Sequence, residues 1–340
     1  MKKHNIYPVC FTAVLTLFTA YIALDTFVIS DRQQMNTTSM NTSMFENTEA
    51  QTVITPQTDV TKTEKNSSDD EWFRAFGGNN TYKTETVTEN NPDTQQISAD
   101  SDENSYSDEN ISISLSEYYE YNTKIYVADI KVTSAQYIKT AFAENTFGRN
   151  VTDKTSAIAS ENNAVFAVNG DFYGAQEYGF VIRNGIVYRE SSDSENLLCL
   201  YADGTMKIVN SDEKSADELV SEGVWQAWNF GPALIDESSV EISQNDEVGK
   251  AMASNPRTAV GMIEPCHYLF VVSDGRTTES EGLSLYQLAE FMLKFGVKTA
   301  YNLDGGGSSS MYFKGEVVNN PTTNGKSIKE RGVSDIVYLG

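Results

Sequence analysis

The sequence has little of three residue types on which many functional sites depend: cysteine, histidine and basic residues. It contains three Cys and two His in 340 residues. There is no CxxC spacing and no group of histidines, which argues against a zinc site of the usual kind. Cys10 lies in an N-terminal apolar run, so only Cys199 and Cys266 remain for one disulfide. Two unpaired buried thiols are the favoured interpretation.

The shortage of basic residues excludes a further class of protein. There are 25 Lys and Arg against 48 Asp and Glu, a net charge of −23. A nucleic-acid-binding surface needs clustered Lys and Arg to neutralise phosphates, so no nucleic-acid partner is expected. The acidity is concentrated early in the chain, where residues 31–110 hold 16 acidic and 5 basic residues, a net of −11.

The N-terminus predicts a membrane anchor. Lys2 and Lys3 precede an apolar run of 18 residues, Tyr7–Leu24, and residues 26–29 extend it toward the ~20 that a bilayer requires. We therefore predict a single-pass transmembrane signal-anchor over residues 1–30, with the lysines cytoplasmic and the rest of the chain extracytoplasmic. A cleaved signal peptide is the competing interpretation. Residues 31–105, rich in Thr, Asn, Ser and acids, predict a disordered linker.

Residues 106–340 contain ordinary amounts of aliphatic and aromatic residues and predict one folded domain. Short apolar runs flank the turn residues Asn184-Gly185, Asp203-Gly204 and Lys314-Gly315, which is typical of β-hairpins. One helix is clear: Ser284 and Gln287 form a capping-box pattern before apolar residues at helical spacing. A weaker helix covers about 216–222. The fold class is therefore α+β, with mixed, largely antiparallel sheets and few helices.

Three predicted strands end in acidic turns that contain glycine. The turns are Asn169-Gly170-Asp171, Asp274-Gly275 and the longer Asp304-Gly305-Gly306-Gly307-Ser308-Ser309. Three consecutive glycines are entropically costly unless a tight bend or a close ligand contact requires them. Their N–H groups, with the two serine hydroxyls, can bind an anion. Arg257, Arg276 and Arg331 can bind phosphate, although internal ion pairs are an equal alternative. His267 is interpreted as a structural strand residue.

These residues lie in stretches that resemble the phosphodiester glycosidase family, which includes uncovering-enzyme-like N-acetylglucosamine-1-phosphodiester α-N-acetylglucosaminidase domains and bacterial proteins of the exopolysaccharide biosynthesis type. The matching stretches are AVNGDFYG at 167–174, GFVIRNG at 179–185, FGPALI at 230–235, NPRTAVGM at 255–262, VVSDGR at 271–276, YNLDGGGSSSMY at 301–312 and RGVSDIVYL at 331–339.

The resemblance implies a hydrolase that cleaves the glycosidic bond of a sugar-1-phosphodiester, with a sugar-phosphate or polysaccharide substrate and a role in the cell envelope. It implies Asp304, Asp171 and Asp274 as catalytic residues. It implies substrate binding by Asn169, Arg257, Arg331, Gly305, Gly306, Gly307, Ser308 and Ser309. Similar bacterial proteins usually carry an N-terminal anchor. No cofactor is expected.

Two other functions are compatible with the same residues. Asp171, Asp274 and Asp304 can together bind Ca²⁺ or Mg²⁺ through oxygen ligands, as in a metal-dependent phosphoesterase. A non-catalytic surface protein that binds or helps to assemble polysaccharide is the second alternative, because tyrosine-rich surfaces suit sugars. The sequence contains 18 Tyr, which are equally ordinary as core residues.

Overall fold

The computed structural model describes residues 6–33, 39–46, 95–96, 102–191, 196–242 and 254–340. Its α-helices are α1 (Ile6–Phe27), α2 (Ser43–Glu46), α3 (Thr155–Glu161), α4 (Ala216–Ser221) and α5 (Leu285–Leu293). Short 3₁₀ turns cover Asp102–Asn104, Ala135–Tyr137, Ala143–Asn145, Tyr173–Ala175 and Gly306–Ser308. Most of the predicted linker lies outside the described residues.

Strands dominate the fold. They are β1 (Asp31–Arg32), β2 (Gln95–Gln96), β3 (Ser105–Ser107), β4 (Ile111–Glu120), β5 (Thr123–Val132), β6 (Lys139–Phe142), β7 (Gly148–Arg149), β8 (Phe166–Asn169), β9 (Val181–Arg183), β10 (Ile186–Arg189), β11 (Asn196–Tyr201), β12 (Met206–Asn210), β13 (Val224–Trp228), β14 (Ala233–Asp236), β15 (Ser239–Val240), β16 (Arg257–Glu264), β17 (His267–Ser273), β18 (Thr299–Asn302), β19 (Met311–Phe313), β20 (Glu316–Val317) and β21 (Asp335–Leu339).

The strands form three main sheets. The large sheet has the order β15-β14-β18-β16-β17-β5-β4-β2, with β3 also paired to β4. The C-terminal sheet is β20-β19-β8-β21-β6, and the third sheet is β10-β9-β13-β11-β12. Among the described residues these strands pair only antiparallel, so the parallel component of the predicted mixed sheets is not found there. Parallel neighbours need long crossovers, whereas hairpin neighbours such as β4 and β5, or β16 and β17, are joined by tight turns.

The large sheet is buried on both faces. Along β5, Tyr126 and Ala128 face the central core with strands of the other two sheets, whereas Ile125 and Val127 face a second core under α5. The side-chain period of two sends alternate residues to opposite faces. The sheet therefore positions strand ends rigidly between two hydrophobic layers.

The predicted local elements are found. In the Asn184-Gly185 turn both residues have positive φ, 52° and 74°, as the two-residue hairpin between β9 and β10 requires. Ser284 accepts from Gln287 N, and the Gln287 side chain accepts from Ser284 N, so the capping box before α5 is complete. Cys199 and Cys266 are both free. His267 lies in β17 and contacts Asp129 at 2.8 Å.

The N-terminal helix α1 covers the predicted anchor. Among the residues that the structure describes, no helix combines the length and the sustained apolar character needed to cross a bilayer. The transmembrane anchor therefore stays a prediction.

Candidate active site

The site lies where β8 of the C-terminal sheet and β18 of the large sheet end side by side. The two exits are joined through the backbone, because Asp304 N donates to Gly170 O at 3.3 Å. They are also joined through Asn169, whose Nδ2 donates to Asp304 O at 2.6 Å. The Asn169-Gly170-Asp171 turn and the turn that begins at Asp304, both singled out in the sequence, therefore form one structural unit.

Asn169 is the hydrogen-bonding centre of this unit. It is fully buried, and its Oδ1 accepts from Thr258 Oγ1 at 2.8 Å and from Ser310 N at 3.2 Å. Its Nδ2 donates to Gly170 O as well as to Asp304 O. With both amide atoms bonded within the protein, Asn169 holds the two strand exits and the serine loop together.

Asp304 and Arg331 form an ion pair at the rim of the site. Arg331 Nη2 lies 3.0 Å from Asp304 Oδ2, and the Arg331 side chain is 40% exposed whereas that of Asp304 is 12% exposed. Arg331 also donates to Ser308 Oγ, from Nε at 3.0 Å and from Nη2 at 2.6 Å. Burial raises the pKa of Asp304, and the positive charge of Arg331 and the Ser308 hydroxyl partly oppose that rise.

The glycine loop is packed too closely for side chains. A Cβ on Gly305 would lie 2.9 Å from Pro256 O, and one on Gly307 would lie 2.4 Å from Thr323 Oγ1. Gly306 has φ +63°, and its N–H donates to Pro256 O at 2.8 Å. The left-handed backbone at Gly306 is the tight bend that the sequence predicted, and Gly305 and Gly307 lie in close contact with other atoms of the protein.

Two further arginines lie next to this loop. Arg276 Nη2 is 2.8 Å from where a Gly306 Cβ would be, and Arg276 donates from Nη1 to Thr323 O at 2.6 Å. Burial and the nearby positive charge of Arg331 lower the pKa of Arg276. Arg257 is buried beneath the loop and donates from Nε to Leu283 O at 3.0 Å. The loop is therefore surrounded by positive charge, which favours an anionic ligand.

The two site serines differ in their partners. Ser308 binds Arg331, as described above. Ser309 is fully buried, and its hydroxyl has no hydrogen-bond partner within the described parts of the chain.

Asp171 lies deeper, in a buried cluster that the sequence analysis did not identify. Arg183 Nη2 is 2.8 Å from Asp171 Oδ2, and Arg183 Nε donates to Asp335 Oδ2 at 2.8 Å. Asp171 also accepts from Asn229 N at 3.0 Å and Tyr173 N at 3.2 Å. Burial raises the pKa of Asp335 to about 7, although Arg183 opposes the rise. This cluster supports the β8 turn from below.

Asp274 is held by a different set of residues. Its carboxylate accepts from Asn319 Nδ2, Asn320 N, Asn320 Nδ2 and Tyr126 Oη, at distances between 2.8 and 3.3 Å. Within the described residues, no hydrogen bond or ion pair joins Asp274 to Asp304 or Arg331. The structure thus brings Asp304, Arg331, Ser308 and the glycine loop together, with Asn169 beside them, and gives Asp171 and Asp274 separate buried surroundings.

A shared metal site for the three aspartates does not emerge from this geometry. In the described ranges, no group of three or more His, Cys, Asp or Glu side chains is arranged to hold a metal ion.

The family assignment agrees with this arrangement. The sequence model of the phosphodiester glycosidase family matches residues 162–339, which contain every site residue that the sequence predicted. The chain belongs to the phosphodiester glycosidase family.

The chain is also similar in sequence to individual members of known protein groups. It is 27% identical over 180 residues, 51% of this chain, to the SPbeta prophage-derived uncharacterized protein YomE of Bacillus subtilis (strain 168). It is 29% identical over 171 residues, 46% of this chain, to N-acetylglucosamine-1-phosphodiester alpha-N-acetylglucosaminidase of Mus musculus. The matches span 28% and 33% of those proteins, so the chain corresponds to a third or less of each relative.

The fold is also that of a solved relative. The catalytic domain of zebrafish N-acetylglucosamine-1-phosphodiester alpha-N-acetylglucosaminidase, in a form auto-inhibited by its pro-peptide, superposes with a TM-score of 0.55. The superposition covers 72% of this chain and 87% of that domain at 19% identity. At this identity the likeness establishes the fold.

Proposed function

We propose that this protein is an extracytoplasmic phosphodiester glycosidase that hydrolyses the glycosidic bond of a sugar-1-phosphodiester, with an N-acetylglucosamine-1-phosphodiester as the first substrate to test. The observation that carries the proposal is the Asp304–Arg331 pair, 3.0 Å apart beside Ser308 and the glycine loop. It places a partly exposed carboxylate next to a partly exposed cation in the region that matches the family. The mouse and zebrafish relatives are named for activity on such diesters.

The reaction asks two things of the site. The leaving group is a phosphomonoester, whose second pKa is about 6, so it departs without strong help from a general acid. The site must hold the negative charge of the diester and stabilise an oxocarbenium-like sugar carbon. Arg331 and Arg276 supply positive charge for the phosphate, and Asp304 supplies the adjacent negative charge.

Asp304 is the carboxylate that we place against the sugar. It would act as the base toward water or as the nucleophile. Its side chain reaches the rim, whereas the Asp171 side chain has no exposed surface and is paired with Arg183. Asp171 is better suited to holding the β8 turn in position. Asp274, which accepts four hydrogen bonds from its neighbours, is suited to a similar positioning role.

The test follows release of free N-acetylglucosamine from UDP-GlcNAc and from the methyl ester of GlcNAc-1-phosphate by the full chain. Each reaction is run with and without EDTA. Release that survives EDTA and is lost in Asp304→Asn supports the proposal. A folded protein that releases no free sugar from any sugar-1-phosphodiester would contradict the proposal.

The proposed location rests on the N-terminal sequence. Lys2 and Lys3 before the apolar run Tyr7–Leu24 favour a single-pass anchor with the catalytic domain outside the cell membrane, in envelope or exopolysaccharide metabolism. Protease added to intact cells should then remove the domain. A domain that is degraded only after cell lysis would contradict this location.

A further inference from the structure

An open cleft of about 440 Å³ adjoins the candidate site on the side of Arg331. It lies between the segment before α3 and the loop before β21. Its lining includes Thr152, Lys154, Asn324, Lys329 and Arg331. Arg331 therefore belongs to both places: it pairs with Asp304 and it forms one wall of the cleft.

This cleft is lined by three cations (Lys154, Lys329 and Arg331) and by two carboxylates (Asp153 and Glu330). Asp153 Oδ1 accepts from Lys154 N at 2.7 Å, and Glu330 accepts from Ser156 N at 3.0 Å and Ser156 Oγ at 2.5 Å. Lys154 and Lys329, in contrast, form no ion pair through their side chains with any described residue. In a chain with a net charge of −23, two unpaired lysines beside an arginine stand out.

We infer that this cleft binds the aglycone and that it selects an aglycone with a phosphate group of its own. The inference rests on the proposed function. A phosphodiester held at Arg331 has two ester groups, and the sugar must lie toward Asp304 for its anomeric carbon to be attacked. The other ester group then extends into the cleft, where the ammonium groups of Lys154 and Lys329 meet a second negative charge.

Three substrates test this inference in the full chain. UDP-GlcNAc carries a second phosphate and a nucleoside, and a GlcNAc-1-phosphate diester of glycerol phosphate carries the second phosphate alone. The methyl diester of GlcNAc-1-phosphate has neither. The readout is the ratio of kcat/KM for each doubly charged substrate to kcat/KM for the methyl diester.

The double variant Lys154→Gln/Lys329→Gln should lower both ratios about tenfold. Lys154 and Lys329 are both exposed, and exposed charge pairs are each worth up to about 1 kcal/mol, or about fivefold. The loss should shrink at high salt, where the charges are screened. Lys326→Gln is the matched control, because Lys326 is an exposed lysine of the same loop outside the cleft lining. Ratios that stay the same in the double variant, or that fall equally in the control, would overturn the inference.

The two sources of a second phosphate are separated by the substrates themselves. If the kcat/KM ratios of both doubly charged substrates depend on the two lysines, the cleft recognises the second phosphate itself. If only the ratio of UDP-GlcNAc depends on them, the cleft recognises a nucleoside diphosphate.

A binding measurement separates this inference from the proposed function. UDP binding is measured by calorimetry at low salt for the wild-type chain, the double variant and Lys326→Gln. If no diester is hydrolysed, the proposed function fails, but UDP binding that weakens about tenfold only in the double variant still supports an anion-selective cleft. Absent UDP binding, or equal affinity in all three proteins, would overturn it.

Discussion

Arg331 Nη2 lies 3.0 Å from Asp304 Oδ2 and 2.6 Å from Ser308 Oγ, so one guanidinium nitrogen links a carboxylate and a hydroxyl at the rim of the site. Arg331 comes from the loop before β21 and Asp304 from the turn after β18. The loop before β21 and the turn after β18 thus bring together the cation and the carboxylate that the proposed reaction needs.

Asp304→Asn should abolish most of the hydrolysis. The amide can be neither base nor nucleophile, so kcat should fall at least about 100-fold, while the melting temperature stays close to that of the wild type. Asp217→Asn is the control, because Asp217 is an exposed aspartate in the first turn of α4. The measurement is sugar release together with thermal unfolding. A folded Asp304→Asn variant that is as active as Asp217→Asn would remove Asp304 from the chemistry.

Arg331→Gln should change the pH dependence as well as the rate. The charge of Arg331 lowers the pKa of Asp304, so its loss lets that pKa rise. If ionised Asp304 is required, the acidic limb of the kcat/KM profile then moves to higher pH, and activity falls at every pH. Lys326→Gln, which removes a cation from the same loop, should leave the limb where it is. An unmoved limb in Arg331→Gln would show that the two side chains are not coupled.

Asp335→Asn should remove one source of pH-dependent stability. The folded-state pKa of Asp335 is raised to about 7 from an ordinary 3.8, so the folded protein binds this proton more tightly than the unfolded chain. The resulting stabilisation is complete below the ordinary pKa and is lost as the pH rises toward 7. The free energy of unfolding of the variant, relative to that of the wild type, should therefore increase between about pH 4 and pH 7. Urea unfolding at several pH values measures it, and parallel curves would contradict the pKa assignment.

Gly307→Ala should disturb the site through Thr323. The added Cβ would lie 2.4 Å from Thr323 Oγ1, so the loop that carries Arg331 must shift. A misplacement near 1 Å can cost up to ~100-fold, and we expect kcat/KM to fall at least about tenfold. Gly315→Ala is the control: its Cβ meets no atom within 4 Å, although φ is +100°. That control should lose about 1–3 kcal/mol of stability, because a non-glycine residue is strained at this φ, and it should lose no activity. Equal activity in both variants would show that the loop tolerates the side chain.

The local parts of this fold were predictable from the sequence. The Asn184-Gly185, Asp203-Gly204 and Lys314-Gly315 hairpins form between strands that the apolar runs indicated. The α5 capping box is equally local. In each case residues that are adjacent in sequence determine the backbone conformation, so the local sequence is enough to predict the element.

The buried cluster under the site was not predictable in the same way. Arg183 and Asp335 are 152 residues apart, and Arg183 stands at the end of an ordinary strand before a turn. Only the tertiary contacts of Arg183, which pairs with Asp335 and with Asp171, reveal that Asp171 has a buried cation as its partner. Likewise, Asn319 and Asn320 had no pattern that pointed to Asp274. The positions of the acidic turns that contain glycine were predictable, whereas the partners of each carboxylate depended on tertiary contacts.

The central claim is that the chain breaks the bond between sugar carbon and phosphate oxygen, and isotope incorporation tests it most directly. The full chain hydrolyses a GlcNAc-1-phosphodiester in ¹⁸O-labelled water, and the mass of the phosphomonoester product is measured by mass spectrometry. Attack at the sugar carbon leaves the phosphate without ¹⁸O, and this is the predicted result. An ¹⁸O atom in the phosphate product would mean attack at phosphorus, as in a phosphoesterase, and would contradict the account.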